Sequence, residues 1–181
     1  GSMKPTMRSS RYFELNISCP NTELAESFTV EANFENLVRA IASLNLQKPI
    51  FVKMPNEIGS EESGSLIKIA LNQNIRGFVF SNLLKNRQSE KLDREEVEKI
   101  KFFRGNFSGR PTFENSNNLI TRARKTFGSN IVIIGCGGIF SPQDALVKFR
   151  SGADLVQLIT GMIFQGPQLI GEICEELATA A

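Results

Sequence analysis

Five short groups of residues carry the side chains and glycines that could do chemistry. The first, Asn16-Ile17-Ser18-Cys19-Pro20-Asn21, puts two amides and a thiol in one polar loop. Amides suit a planar ligand rich in hydrogen-bonding edges, and a thiol works as a base or nucleophile once its pKa is lowered. A loop position beside proline is unnatural for a buried structural thiol, although a generic loop cysteine is the commoner case. Lys53 interrupts the apolar pair Val52 and Met54, so it reads as a charge inside the fold or as an edge residue snorkelling to solvent. Ser81-Asn82 adds a hydroxyl and an amide. Gly135-Cys136-Gly137-Gly138 reads equally as a tight strand-to-helix turn or as a phosphate cradle. Phe140 stands where G-x-G-x-x-G needs its third glycine, so the dinucleotide fingerprint fails. Thr160-Gly161, ahead of Gly166-Pro167, is a second phosphate candidate or a turn. Cys136 and Cys174 read as packing residues, and the charge run Glu90–Lys101 as a solvated face.

Each group follows a strand-like run. These runs are Tyr12–Ile17, the proline-bracketed Pro49–Pro55, Gly77–Asn82, Ile131–Ile134 and Asp154–Thr160. Between them lie helical patterns over Glu31–Leu44, Ser63–Asn72, Ser116–Phe127 (closing at Gly128) and a helix starting at Ser141 with Pro142 at its first position. Pro167–Leu177 is a last helix. The polar stretch Lys85–Gly109 reads as a long loop with a short helix near Arg94–Ile100. Continuous apolar strands alternating with helices predict an α/β fold with a parallel sheet. Doubly wound sheet and TIM barrel are the candidates. Five polar strand ends in register favour the barrel, whose active sites lie at the C-terminal strand ends.

The 181 residues are 41% hydrophobic and 22% charged with a net charge of +2, an ordinary globular composition. So small an imbalance gives no argument for nucleic-acid binding. The absence of histidine excludes a Ser-His triad, a His-bearing metal site and a His general base. Three scattered cysteines fit a reducing compartment, and no metal site is expected. No apolar run approaches the ~18 residues of a membrane helix. The expectation is a cytoplasmic, soluble protein in which 1–10 is a tag scar (Gly1-Ser2-Met3) and polar lead-in.

Glu14-Leu15-Asn16-Ile17-Ser18-Cys19-Pro20-Asn21-Thr22 resembles the signature loop of dihydroorotate dehydrogenases. The likeness continues through Val52-Lys53-Met54-Pro55, Phe80-Ser81-Asn82 and Phe107-Ser108-Gly109-Arg110-Pro111. It closes with Ile133–Ile139 and Gly152–Gly161, so it runs from residue 11 to the C-terminus. The family fold is an FMN-carrying TIM barrel. The resemblance implies oxidation of dihydroorotate to orotate in pyrimidine (UMP) biosynthesis, with Cys19 as the base and hydride transfer to flavin N5. It implies that Asn16, Asn21 and Asn82 hold the substrate, Asn16 also touching the cofactor. It places Lys53 at the flavin pyrimidine edge, Ser81 and Gly109 at further flavin contacts, and Gly137, Gly138, Ile159, Thr160 and Gly161 around the FMN phosphate.

A cysteine base is typical of the soluble class, whereas the Ser-Gly-Arg-Pro loop and the last third look like the quinone-linked class. Quinone, fumarate and NAD therefore all stand as acceptors, and a quinone-linked parent would sit peripherally on the inner membrane. Glu23-Leu24 intervene where the family usually has Pro-Gly. The expectation for 11–181 is a partial barrel with about five of the eight strands, self-associating through its exposed edges and having little or no turnover. The alternatives are a non-catalytic self-associating fragment, or a related FMN barrel acting on another dihydropyrimidine.

Overall fold

The computed structural model describes residues 10–17 and 28–180. Its elements are β1 (Phe13–Asn16), α1 (Glu31–Ser43), β2 (Ile50–Lys53), α2 (Ser60–Asn72), β3 (Gly77–Phe80) and α3 (Arg94–Lys99), followed by α4 (Phe113–Phe127), β4 (Val132–Cys136), α5 (Pro142–Ser151), β5 (Leu155–Gln157), α6 (Thr160–Gln165) and α7 (Gln168–Ala180). All four strand pairings are parallel and run in chain order, β1-β2-β3-β4-β5. A doubly wound sheet reverses its order partway. Strictly sequential parallel pairing is the barrel arrangement, so the fold is the expected partial barrel.

Local chemistry sets the boundaries. Ser141 caps α5 by accepting from the Asp144 N–H (3.2 Å), Pro142 opens the helix, and Gly152 ends it at φ 112°. Asp93 caps α3 by accepting from the Glu95 and Glu96 N–H groups at 2.9 and 3.0 Å. Three predicted spans change. α4 begins at Phe113, because a 3₁₀ turn over Arg110–Thr112 leads straight into it, and α2 begins at Ser60. The last strand stops at Gln157, and Thr160-Gly161 form the first turn of α6 instead of a strand end.

The alternation along each strand sorts side chains onto two faces. Leu15, Val52, Phe78, Phe80 and Ile133 face the helices and join Phe34, Val38, Leu66, Ile67, Leu119 and Ile120 in the main core. Phe51, Val79 and Ile134 face the other way and form a smaller concave cluster with Tyr12 and Cys136. A Cβ at Gly77 would lie 2.6 Å from the Phe51 ring, so glycine there makes room for it. The sheet curls strongly. Glu14 of β1 accepts from Gln157 Nε2 of β5 at 3.2 Å, although these are the two outermost strands. At the opposite ends of the strands, Arg124 donates to the carbonyls of Gly152 (2.9 Å) and Ile131 (3.1 Å) and pairs with Asp154 (2.6 Å), tying α4 to β4 and β5. Cys174, read as a packing residue, is instead exposed on α7. Its place in the amphipathic turn falls on the solvent face, while Leu169 and Ile173 take the core.

Candidate active site

The strand ends converge as parallel connections require. Lys53, Ser81, Asn82, Gly109, Gly137 and Gly138 line one cleft of about 90 Å³, closed on its far side by Ile159, Thr160 and Gly161. Of the residues expected to bind substrate or cofactor, Asn16 lies at the end of β1 and accepts from Asn82 Nδ2 at 3.3 Å. Two of the three expected substrate amides are thus in contact. Cys19 and Asn21 lie outside the described residues. A larger groove of about 520 Å³ runs between α2 and α4 over Ile67, Leu119 and Phe127, but it is away from every strand-end group.

Lys53 resolves as a concave-face charge and not as a snorkelling edge residue. Its Nζ lies 3.2 Å from Glu14 Oε1, and both side chains are largely shielded. Because Glu14 also accepts from Gln157, one carboxylate links β1, β2 and β5 across the concave face. Cys136 lines the same cleft, and burial pushes its thiol pKa up. Glu14 adds to this, while Lys53 and then Lys148 oppose it. It is therefore a neutral wall residue at neutral pH.

Close backbone approach explains the glycines. Gly137 and Gly138 have φ of 109° and 73°, and Cβ atoms there would come within 2.5 Å of Thr112 Oγ1 and Phe113 Cβ. A Cβ on Gly161 would run into the Ile139 carbonyl. The loop carrying Gly109 is held by Arg110, whose guanidinium donates to both oxygens of Asp144 at 2.8 and 3.0 Å. It also lies over the rings of Phe113 and Phe140 at 5.3 and 5.2 Å. Burial raises the Asp144 pKa, but Arg110, the Phe140 N–H and Ser141 outweigh it and leave this carboxyl below its usual range. Thr160 Oγ1 reaches Ser108 Oγ at 3.0 Å, joining α6 to the Gly109 loop.

Several contributors were not singled out in the sequence. Asn56, 2% exposed, donates to Ser81 Oγ (2.6 Å) and to the Thr112 carbonyl (3.1 Å). Ser116 Oγ lies 2.8 Å from the carbonyls of Phe80 and of Cys136, the last residues of β3 and β4. Glu14 and Gln157 carried a usable signal, since each is a polar residue at a concave position of a strand otherwise rich in apolar residues. Asn56 and Ser116 carried none, being ordinary residues of a loop and of a helix.

Parallel β/α units in barrel order, with polar loops gathered at the C-terminal strand ends, place the protein among β/α barrels of the TIM type. The dihydroorotate dehydrogenase family profile matches residues 2–180, and the chain belongs to that family. It is 37% identical over 179 residues to a dihydroorotate dehydrogenase (quinone) of Brucella ovis, covering 94% of this chain and 48% of the relative. A protein of the same name from Brucella anthropi is 34% identical over 181 residues with the same coverage. The ligand-free dihydroorotate dehydrogenase of Eimeria tenella superposes with a TM-score of 0.82 at 24% identity, covering 94% of this chain and 51% of that one. The chain thus spans about half the length of the curated relatives it matches. No helix among the described residues is long and apolar enough to cross a membrane.

Proposed function

We propose that this chain carries the phosphate-binding and amide-bearing portion of a dihydroorotate dehydrogenase site, for FMN-dependent oxidation of dihydroorotate to orotate in pyrimidine biosynthesis. The observation that carries this reading is the convergence of nine expected positions, Lys53, Ser81, Asn82, Gly109, Gly137, Gly138, Ile159, Thr160 and Gly161, on one cleft. The donor set fits a flavin: one cation, amides, hydroxyls, and a glycine turn that lets backbone come close. The cleft is smaller than the roughly 300–1,000 Å³ usual for ligand sites, so the described residues supply part of a flavin site and not all of it.

FMN held here would supply the acceptor for the hydride lost when dihydroorotate is oxidised to orotate. Cys19, as thiolate, takes the C5 proton. The amides of Asn16, Asn21 and Asn82 hold the planar product ring by matched donors and acceptors. Lys53 would hold positive charge toward the flavin, its field moderated by Glu14 at 3.2 Å. Ser81 and Gly109 would contact the flavin, and the backbone of Gly137, Gly138 and Ile159–Gly161 would receive its phosphate. The names of the Brucella relatives favour a quinone as the acceptor.

A second reading, a self-associating fragment with little or no turnover, is favoured by the β1 and β5 edges, which have no outer partner strand among the described residues. Exposed edges recruit other chains. Visible absorption of the purified chain, titrated with FMN and then dihydroorotate, separates the two. Flavin uptake with bleaching that Cys19→Ala abolishes supports the enzymatic reading. No uptake at saturating FMN overturns it for this chain.

A further inference from the structure

Lys148 of α5 is 0% exposed, in a class of residue that is almost never fully buried without a charged partner. Its Nζ donates to neutral acceptors, Ser116 Oγ at 2.8 Å and the Phe113 carbonyl at 3.2 Å, and sits 4.6 Å from the centre of the Phe113 ring. The fold clears a path for it. A Cβ on Gly135 would lie 3.1 Å from both Cβ and Cδ of Lys148, so glycine at 135 leaves room for the stem that any larger residue would crowd. Filling the space alone would be done at lower cost by methionine or leucine, because burying an ammonium is expensive.

An ammonium has three donors and no acceptor. Facing it, Ser116 must accept, and its own O–H must point onward to the carbonyl of Phe80 or of Cys136, each 2.8 Å away. Those carbonyls end β3 and β4. The Cys136 carbonyl also receives the Ser81 N–H at 2.9 Å, and Phe113 is the residue against which Gly138 packs.

We infer that Lys148 is a positioning residue of this site: its ammonium orients Ser116, whose hydroxyl then fixes the ends of β3 and β4 and with them Ser81 and the Gly137-Gly138 turn. The flavin consequence rests on the reading proposed above; the brace itself rests on the hydrogen bonds. If the amine loses its proton, Nζ gains a lone pair, Ser116 can donate back to it, and the strand-end carbonyls lose the Ser116 hydroxyl as a donor. Burial brings that event into range, lowering the Lys148 pKa to about 7 against the opposing effects of Cys136 on β4 and Asp144 on its own helix. From α4 it meets the Phe113 carbonyl and ring and the Ser116 hydroxyl, all uncharged. Cys136 titrates above its ordinary value and Asp144 below its own, so neither titrates near neutrality.

The test is amide NMR of the 181-residue chain between pH 5.5 and 8.5, a range centred on the midpoint near 7 expected of the lysine. The Ser81, Gly137 and Gly138 amides are expected to shift together with one midpoint near 7, and to be flat in Lys148→Met at their high-pH positions, with thermal stability unchanged or raised. A Lys148→Met variant whose three amides match the wild type at every pH overturns the inference. Should that variant fail to fold, Ser116→Ala decides. Lys148 retained but no longer sensed at Ser81 and Gly137 supports the relay, and an unaltered titration overturns it. In a parallel FMN titration by flavin fluorescence, Lys148→Met is expected to bind about tenfold more weakly, equivalent to about 1.4 kcal/mol. If the wild type takes up no FMN, the flavin reading falls and the amide titration alone decides on the brace.

Discussion

The centre of the sheet and its β5 end are built from the same β/α unit and are finished differently. In the centre, Phe78 and Phe80 of β3 are fully buried beneath α2 and α4, and Ser116 and Lys148 hold the strand ends from below. At the β5 end, Ile159, Ile163 and Phe164 are 64%, 69% and 74% exposed. Both regions contribute to the one cleft. The glycine turn after β4 therefore rests on a buried wall, whereas Ile159–Gly161 belong to a unit that leaves Ile159, Ile163 and Phe164 largely exposed. Position within the sheet, more than local sequence, sets how firmly a binding residue is held.

The comparison breaks most visibly where the centre is hollowed out. Phe78→Ala is expected to lose about 3–5 kcal/mol, the usual cost of truncating a buried phenylalanine, read by chemical denaturation. A loss below about 1 kcal/mol would show that the centre is no more consolidated than the edge.

A smaller effect is expected at the bridge between the two regions, Arg110 and Asp144. Arg110→Ala should cost about 1 kcal/mol near neutral pH, since Arg110 is half exposed and its two hydrogen bonds are discounted accordingly. The Asp144 pKa is lowered in the folded state, so its stabilisation is present above the ordinary carboxylate value of 3.8 and fades as pH falls through the folded value. The difference between wild type and variant should shrink on acidification below that value. A difference that stays constant into acid would mean that Arg110 acts only by stacking on Phe113 and Phe140.

The smallest effect on stability belongs to the edge. Phe164→Ser should change unfolding by less than about 0.5 kcal/mol, yet lower the average mass in light scattering if this face joins copies of the chain. An unchanged mass would take the α6 face out of any self-association.

Much of the site was legible because it is local. Polar groups sit directly after apolar runs, so Asn16, Lys53, Ser81, Asn82, Gly137 and Gly138 could be placed at strand ends from spacing alone. Parallel connections then had to bring them to one face. Helix boundaries were legible where a cap marks them, as at Ser141 and Pro142. They were lost where tertiary packing moved them, as at α4, whose first turn at Phe113 is held by contact with Gly138. The short α6 escaped notice because Thr160–Gln165 is apolar and follows a strand without a capping side chain.

The sequence by itself determined the order of elements, the two-faced pattern of each strand and the family, since these depend on residue type and spacing along the chain. Only the tertiary structure decided that Glu14 meets Lys53 and Gln157 across the concave face, and that Lys148 turns inward to Ser116. Those pairs are separated by 39, 143 and 32 positions. Their contact is a property of sheet curl and helix packing, and no local pattern encodes it. A lysine in the last turns of a helix reads as a solvated charge until the glycine beneath it, Gly135, is seen to open a way in.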